Sequence, residues 1–205
     1  MKKVVLFFFL FLGLTMSCQT YVFTTYASYK TQRVDSSFEY NYIYNINDNY
    51  YHLTFRRGTY HIEARLHDEK SKMIHVFDLK ENNDKIVTEF EYMHSLNMNY
   101  DFSDCFFEYQ ETRCQDSLTK INLTLFRTKK KKKIIQTREF IGEKSKYNHF
   151  LFFRKNFFHG YSFAKNLLLS DDYIVTKYGA GEHSTTLSEL KEINLTLTID
   201  KIVFK

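Results

Sequence analysis

The sequence predicts an all-β fold, mainly antiparallel, with one or two short helices, built as a β-sandwich or as a curled sheet approaching a barrel. Three observations carry this. Apolar and polar residues alternate with period two along much of the chain from Phe38 onward, the pattern of strands with one buried face and one wet face. Clusters rich in Asn, Asp and Gly punctuate the alternating runs at short intervals. Helical periodicity is scarce. About ten strands with short turns fit a sandwich or a partly closed barrel.

The elements follow in order. Phe38, Tyr40, Tyr42, Tyr44 and Ile46 alternate with Glu39, Asn41, Ile43 and Asn45, and Asn47-Asp48-Asn49 makes the turn. Next, Tyr51, Leu53 and Phe55 face one way while His52, Thr54 and Arg56 face the other. Arg57-Gly58 serves as a two-residue hairpin loop. The returning run then puts Tyr60, Ile62, Ala64 and Leu66 on the apolar face and His61, Glu63 and Arg65 on the polar one. This register sets Phe55 opposite Tyr60, Leu53 opposite Ile62 and His52 opposite Glu63.

Met73 to Leu79 and Ile86 to Met93 flank a turn at Glu81-Asn82-Asn83-Asp84. Met98, Tyr100 and Phe102 alternate, and Cys105 to Tyr109 begins a hairpin that Cys114 closes. Thr119 to Arg127 and Ile134 to Ile141 bracket a run of lysines, which makes that run a hairpin tip. His149 to Phe153, Tyr173 to Tyr178, Asn194 to Ile199 and Ile202 to Phe204 are further β-rich stretches. Phe163 to Leu169 reads as a short helix, and Thr186-Leu187-Ser188-Glu189 as the capping box of another. The expected architecture is similar to that of the lipocalins, in architecture alone, because their early Gly-x-Trp signature needs a tryptophan and the chain has none. Fold analogy of this kind carries no function.

Ahead of the strands stands MKKVVLFFFLFLGLTMSC, residues 1–18: two lysines, an apolar run from Val4 to Leu14, then small polar residues and a cysteine. That is the order of an export signal, and the run is too short to span a bilayer, which takes about 20 apolar residues. The segment resembles the precursor of a bacterial lipoprotein. Ser17 and Cys18 match that family's cleavage motif, while Thr15 stands where Leu is usual and Met16 is larger than usual. The resemblance implies cleavage before Cys18, acylation of Cys18 and attachment to the membrane by more than one acyl chain, which together hold stably where one holds weakly. Gln19, in place of the Asp that retains such proteins at the inner membrane, implies the outer membrane. Ordinary secretion with Cys18 as a plain residue, and an uncleaved anchor, are the alternatives.

This reading divides the chain into a signal peptide at 1–17, a lipid-anchored tether at 18–37 that is polar and weakly patterned, and one β-rich domain at 38–205. The formal charge is +5, but Lys2 and Lys3 belong to the leader and Lys129, Lys130, Lys131, Lys132 and Lys133 form one local patch, leaving the remainder slightly acidic. A nucleic-acid binder spreads its cations along a face, so no nucleic-acid partner is expected. The patch is instead a candidate contact for an anionic surface: lipid headgroups, lipopolysaccharide or an acidic partner. In an oxidising envelope compartment Cys105 and Cys114 are a natural disulfide pair; the alternative is two free thiols in a reducing one.

Candidate chemistry is thin. Gly160-Tyr161-Ser162-Phe163-Ala164 looks like the nucleophile elbow of serine hydrolases, with Ala in the last glycine position. Asp171 or Asp172 and then His183 follow in the order of a catalytic triad, in which His183 would deprotonate Ser162 and Asp172 would orient the imidazole. A triad packed into so short a stretch does not suit the α/β-hydrolase fold. Gly179-Ala180-Gly181-Glu182-His183 lacks the spacing of a nucleotide loop and reads as a flexible connection. His52, His61 and Glu63, on the polar face of the first hairpin with His52 opposite Glu63, fit a solvated sheet face better than a metal site, and His75 reads as a hydrogen-bonded core histidine. No metal or cofactor is expected. The aromatic stretch Tyr147 to Phe163 either packs the core or lines an apolar cavity through Phe152, Phe158 and Phe163.

These features predict a non-enzymatic envelope lipoprotein whose β-rich domain binds an apolar ligand or an envelope protein partner. The rival expectation is an envelope serine hydrolase that uses Ser162, Asp172 and His183.

Overall fold

Aromatic and β-branched residues, which pack well on a pleated surface, fold the chain into eleven strands: β1 Gln19–Arg33, β2 Ser36–Asn45, β3 Asp48–Arg57, β4 Glu63–Asp68, β5 Met73–Glu81, β6 Val87–Asn97, β7 Phe106–Gln115, β8 Leu118–Phe126, β9 Ile134–Lys144, β10 Tyr173–Ala180 and β11 His183–Ile199. The computed structural model describes residues 18–57, 62–82, 87–98, 105–115, 117–150, 152, 169–180 and 183–204. All strands join one open antiparallel sheet in the order β6-β5-β4-β3-β2-β1-β11-β10-β9-β8-β7. The fold is all-β, as the alternation predicts, and is a single continuous sheet.

β2 shows how that sheet makes a core. Tyr42 and Tyr44 belong to one apolar cluster, and Ile43 between them belongs to another. Successive side chains on a strand point to opposite faces, so the two clusters lie on opposite sides of β2. The first joins Ala27 and Tyr29 of β1 to Phe107, Ile121, Leu123, Leu125, Phe140, Tyr173 and Val175 of β7 to β10, with Phe150 and Phe152. The second joins Tyr21, Phe23 and Tyr26 of β1 to Leu53, Phe55, Ala64, Leu66, Phe77 and Leu79 of β3 to β5, and to Leu197 and Ile199 of β11. One half of the sheet therefore curls over one face of β1–β2, and the other half over the opposite face.

This sandwiching corrects the expected tether. β1 is the central strand, hydrogen-bonded to β2 on one side and to β11 on the other, and Thr25 to Tyr29 are buried throughout. Burial on both faces erases alternation, and the threonines and serines of β1 disguise it as a polar linker. Phe23 and Tyr26, three residues apart, share a cluster, which regular pleating forbids. The β1–β11 ladder shifts register between Phe23 and Thr25, the mark of a bulge that re-aims side chains.

Three further expectations change. Thr186 to Glu189 is not a helix cap but the middle of β11, with Thr186 opposite Lys30 and Glu189 opposite Ser28. Only Leu169 of the expected Phe163–Leu169 helix is described, and among the described residues only Phe150 and Phe152 have helical backbone. In the β3–β4 hairpin Phe55 faces Ala64 and Leu53 faces Leu66, a slip of four residues from the expected pairing. The Cys105–Cys114 disulfide is absent: both thiols are free, Cys105 buried and Cys114 exposed. The reason is geometric. The two residues stand at opposite ends of β7, so an extended strand separates them by roughly 30 Å, where a disulfide needs Cα atoms about 4–7 Å apart.

The outer edge of β6 is partly covered by the segment after β11. Ser95 N–H donates to the Val203 carbonyl at 2.6 Å, and Ser95 and Phe204 form a parallel bridge. Ile202 packs against the second cluster beside this contact.

Candidate functional site

The lysine run is the tip of the β8–β9 hairpin. Phe126 pairs with Ile134, Arg127 N–H donates to the Lys133 carbonyl at 2.9 Å, and Lys131 N–H to the Thr128 carbonyl at 3.0 Å. Lys131 adopts a left-handed φ of 53°, which folds its side chain back onto β7. There its Nζ lies 3.0 Å from Glu108 and 5.4 Å from the Phe106 ring centre. Lys129, Lys130, Lys132 and Lys133 are exposed, and among the described residues no carboxylate pairs with them. Ile134 and Ile135 beside them are 57% and 37% exposed, so the tip presents four uncompensated cations next to bare aliphatic surface.

Cys18 is exposed and directly precedes β1, its Sγ 3.8 Å from Asp200 Oδ1 just beyond β11. Strand alternation fixes where this stands relative to the lysines. β1 begins at the end of the sheet where β11 finishes, β10 begins, β9 finishes and β8 begins. The β8–β9 tip is thus at the far end of the sheet from Cys18.

The triad does not assemble. Ser162 lies outside the described residues. Asp172 immediately precedes β10, is exposed, and is not near His183, which opens β11 opposite Ala180 at the other end of β10. Eight residues of strand put the two roughly 26 Å apart, while an orienting carboxylate must hydrogen-bond the imidazole. Asp172 acts instead on His149, where its charge opposes the effect of burial, which holds the imidazole below its usual range. Asp171 pairs with Lys144 at 2.6 Å.

Of the aromatic stretch, Phe150 and Phe152 pack the first cluster, and Phe158 and Phe163 lie outside the described residues. Phe152 stacks on Tyr44 with ring centres 4.1 Å apart, Tyr44 Oη meets His149 Nδ1 at 2.7 Å, and Tyr29 donates to the Val175 carbonyl at 2.9 Å. The hollow these residues leave, between Ala27, Tyr29, Tyr42, Tyr44 and His149, is too narrow to admit a water molecule. Burial pushes the Tyr29, Tyr42 and Tyr44 phenols well above their ordinary range, so they remain neutral hydrogen-bonding groups.

A second polar constellation threads the other cluster. The Tyr21 hydroxyl donates to Asp68 at 2.9 Å and meets His75 Nε2 at 3.0 Å; His75 Nδ1 meets Ser95 Oγ at 2.6 Å, and Ser95 Oγ meets the Tyr92 hydroxyl at 2.8 Å. Tyr92 in turn accepts from Val203 N–H at 2.9 Å. Because Tyr21 gives its proton to a carboxylate, it accepts from His75. The ring proton therefore sits on Nε2, and Nδ1 accepts from Ser95. Burial holds His75 below its usual range, against the charge of Asp68. Burial, followed by the charge of Asp68, drives Tyr21 well above its own. His75 is thus the hydrogen-bonded core histidine expected of it, but its network joins four strands, β1, β4, β5 and β6, and no spacing in the sequence announces it. Ser95 and His75 are fully buried, so this serine–histidine contact has no route to a substrate.

His52 stacks on His67, ring centres 4.8 Å apart, in place of the expected pairing with Glu63, which faces Asp78. His61 lies outside the described residues. Among the described residues no group of three or more His, Cys, Asp or Glu side chains could hold a metal ion. Compared with known proteins, the chain matches no family model, no curated protein and no solved structure.

Proposed function

We propose that the protein is a cell-envelope lipoprotein, anchored at the outer membrane through Cys18, whose β domain engages a macromolecular partner and not a small apolar ligand. The observation that carries the choice of partner over ligand is the close packing of the described core. Among the described residues both clusters are packed by their own side chains, and the hollow beside Tyr44 excludes even water, whereas a carrier needs a cavity of roughly 300 Å³ or more. The contact offered to the partner is the exposed tip Lys129 to Lys133 with Ile134 and Ile135, which suits an acidic surface bearing some aliphatic character. Since the tip faces away from the Cys18 end, that partner is met on the side remote from the anchor.

Two measurements test this reading. Cells fed a fatty-acid analogue should label the wild-type protein and not Cys18→Ser; an unlabelled wild type would remove the anchor. Replacing Lys129 to Lys133 with glutamine should abolish retention of the purified protein on an immobilised polyglutamate matrix at low salt while leaving its thermal unfolding within a few degrees of wild type. Undiminished retention would remove the tip.

A further inference from the structure

The central position of β1 bears on how an anchored molecule would sit. Cys18 is followed at once by Gln19, already paired with Ile199, so no slack chain separates an anchor from the sheet. Whatever the end of the sheet around Cys18 exposes is held against the bilayer. Its part beside β1 to β5 is formed by the β2–β3 turn, the β4–β5 turn and the segment after β11. It exposes Tyr50 at 58%, Val203 at 48% and Phe204 at 60%. Asp200 touches Cys18, and four residues of chain reach at most about 15 Å, which keeps Phe204 close to the anchor. Tyr50 is tied in by Glu69 N–H, which donates to its carbonyl at 2.8 Å, and by its neighbour Tyr51, whose hydroxyl donates to the Val22 carbonyl at 2.7 Å.

Among the described residues of these three segments the charges balance. Lys70, Lys72 and Lys201 are matched by Asp48, Glu69 and Asp200, while Asp68 is occupied by Tyr21 and by the N–H groups of Lys70 and Ser71. The cationic tip stands at the other end. Electrostatics therefore does not select this end for a bilayer. Its exposed tyrosine, phenylalanine and valine do, since aromatic side chains favour the boundary between headgroups and acyl chains.

We propose that the Cys18 end of the sheet docks flush on the bilayer, with Tyr50, Val203 and Phe204 seated in the headgroup region and the lysine tip held away from it. This rests on the anchoring reading and adds an orientation to it. The absence of tryptophan from the chain supplies the test. Phe204→Trp, Tyr50→Trp and Ile134→Trp variants of the full sequence, purified and reconstituted into phosphatidylethanolamine–phosphatidylglycerol vesicles, each carry a single reporter. On reconstitution the emission of Phe204→Trp and Tyr50→Trp shifts to the blue and is quenched several-fold more by brominated acyl chains than that of Ile134→Trp. The shift is the same in low and high salt, because apolar insertion is not screened. Protein that floats with the vesicles while both near-end reporters stay water-like overturns the docking alone. A blue shift confined to Ile134→Trp does the same and seats the lysine tip on lipid. Protein that does not float overturns the anchoring and the docking together.

Discussion

His75 shows how much a single buried side chain can organise. It takes a hydrogen bond from Ser95 and passes one to Tyr21, linking β1, β5 and β6, and Tyr21 extends the link to Asp68 of β4. Removing one member leaves its neighbours desolvated without partners, at about 1–3 kcal/mol for each orphaned group. Ser95→Ala and His75→Gln should therefore each lower the unfolding free energy by ~1–3 kcal/mol in urea titrations; no change would mean the network contributes nothing. The sign of the pH effect follows from burial. His75 and His149 both sit below their usual range in the fold, so the unfolded chain takes up protons first as pH falls. Stability from this source is complete above about pH 6.5 and declines below it towards the depressed folded-state value. The urea midpoint should accordingly drop from about pH 7.5 to about pH 5, with a smaller drop in His75→Gln. A midpoint equal at the two pH values would contradict this.

At the scale of elements, β7 decides the fate of the cysteines. With Cys105 buried at one end and Cys114 exposed at the other, native protein should react with a maleimide at Cys114 within minutes and at Cys105 only after unfolding. Mass spectrometry after proteolysis reads this directly, and two unreactive cysteines that label only after reduction would restore the disulfide. The strands best legible in the sequence are those with one wet face. β8 and β9 fall close to where alternation puts them, because their outward faces stay open to solvent; β2, covered on both sides from Asn41 to Tyr44, was legible only through its alternating aromatics. β1, covered on both sides as well but with threonines and serines among its aromatics, was illegible. The capping-box pattern at Thr186 to Glu189 obeys local rules, but β1 and β10 offer its backbone ladders on both edges, and tertiary pairing outranks local propensity. The β3–β4 register failed by four residues, an even number. Such a slip keeps every side chain on the same face, so the hydrophobic pattern could not distinguish the two alignments. The lysine tip was visible as a run, whereas its place at the end remote from Cys18 depends on the crossing from β1 to β11.

At the scale of the whole molecule, two cores share one pair of strands. Tyr26 and Ile43 serve one cluster while Ala27, Tyr29, Tyr42 and Tyr44 serve the other, so neither half can lose β1–β2 and persist. Unfolding should be a single transition despite the two-sided architecture. Leu53→Ala in one cluster and Leu123→Ala in the other, both fully buried, should each cost ~2–5 kcal/mol. Each should shift the whole transition, whether followed by circular dichroism or by tyrosine fluorescence. Two resolved transitions, or a truncation that moves one probe and leaves the other, would show the halves to be independent.

The pairing of Gln19 with Ile199 also sets a clock. The strand at the centre of the sheet is among the first made, yet one of its two edges has no partner until residues 183–199 have left the ribosome. Contacts of such long sequence separation form slowly. A chain built this way stays unfinished throughout its synthesis, with β1 exposing an open edge, and that is the state a translocation channel requires. For a chain exported as proposed, completion of the fold would coincide with release of the last strand on the far side.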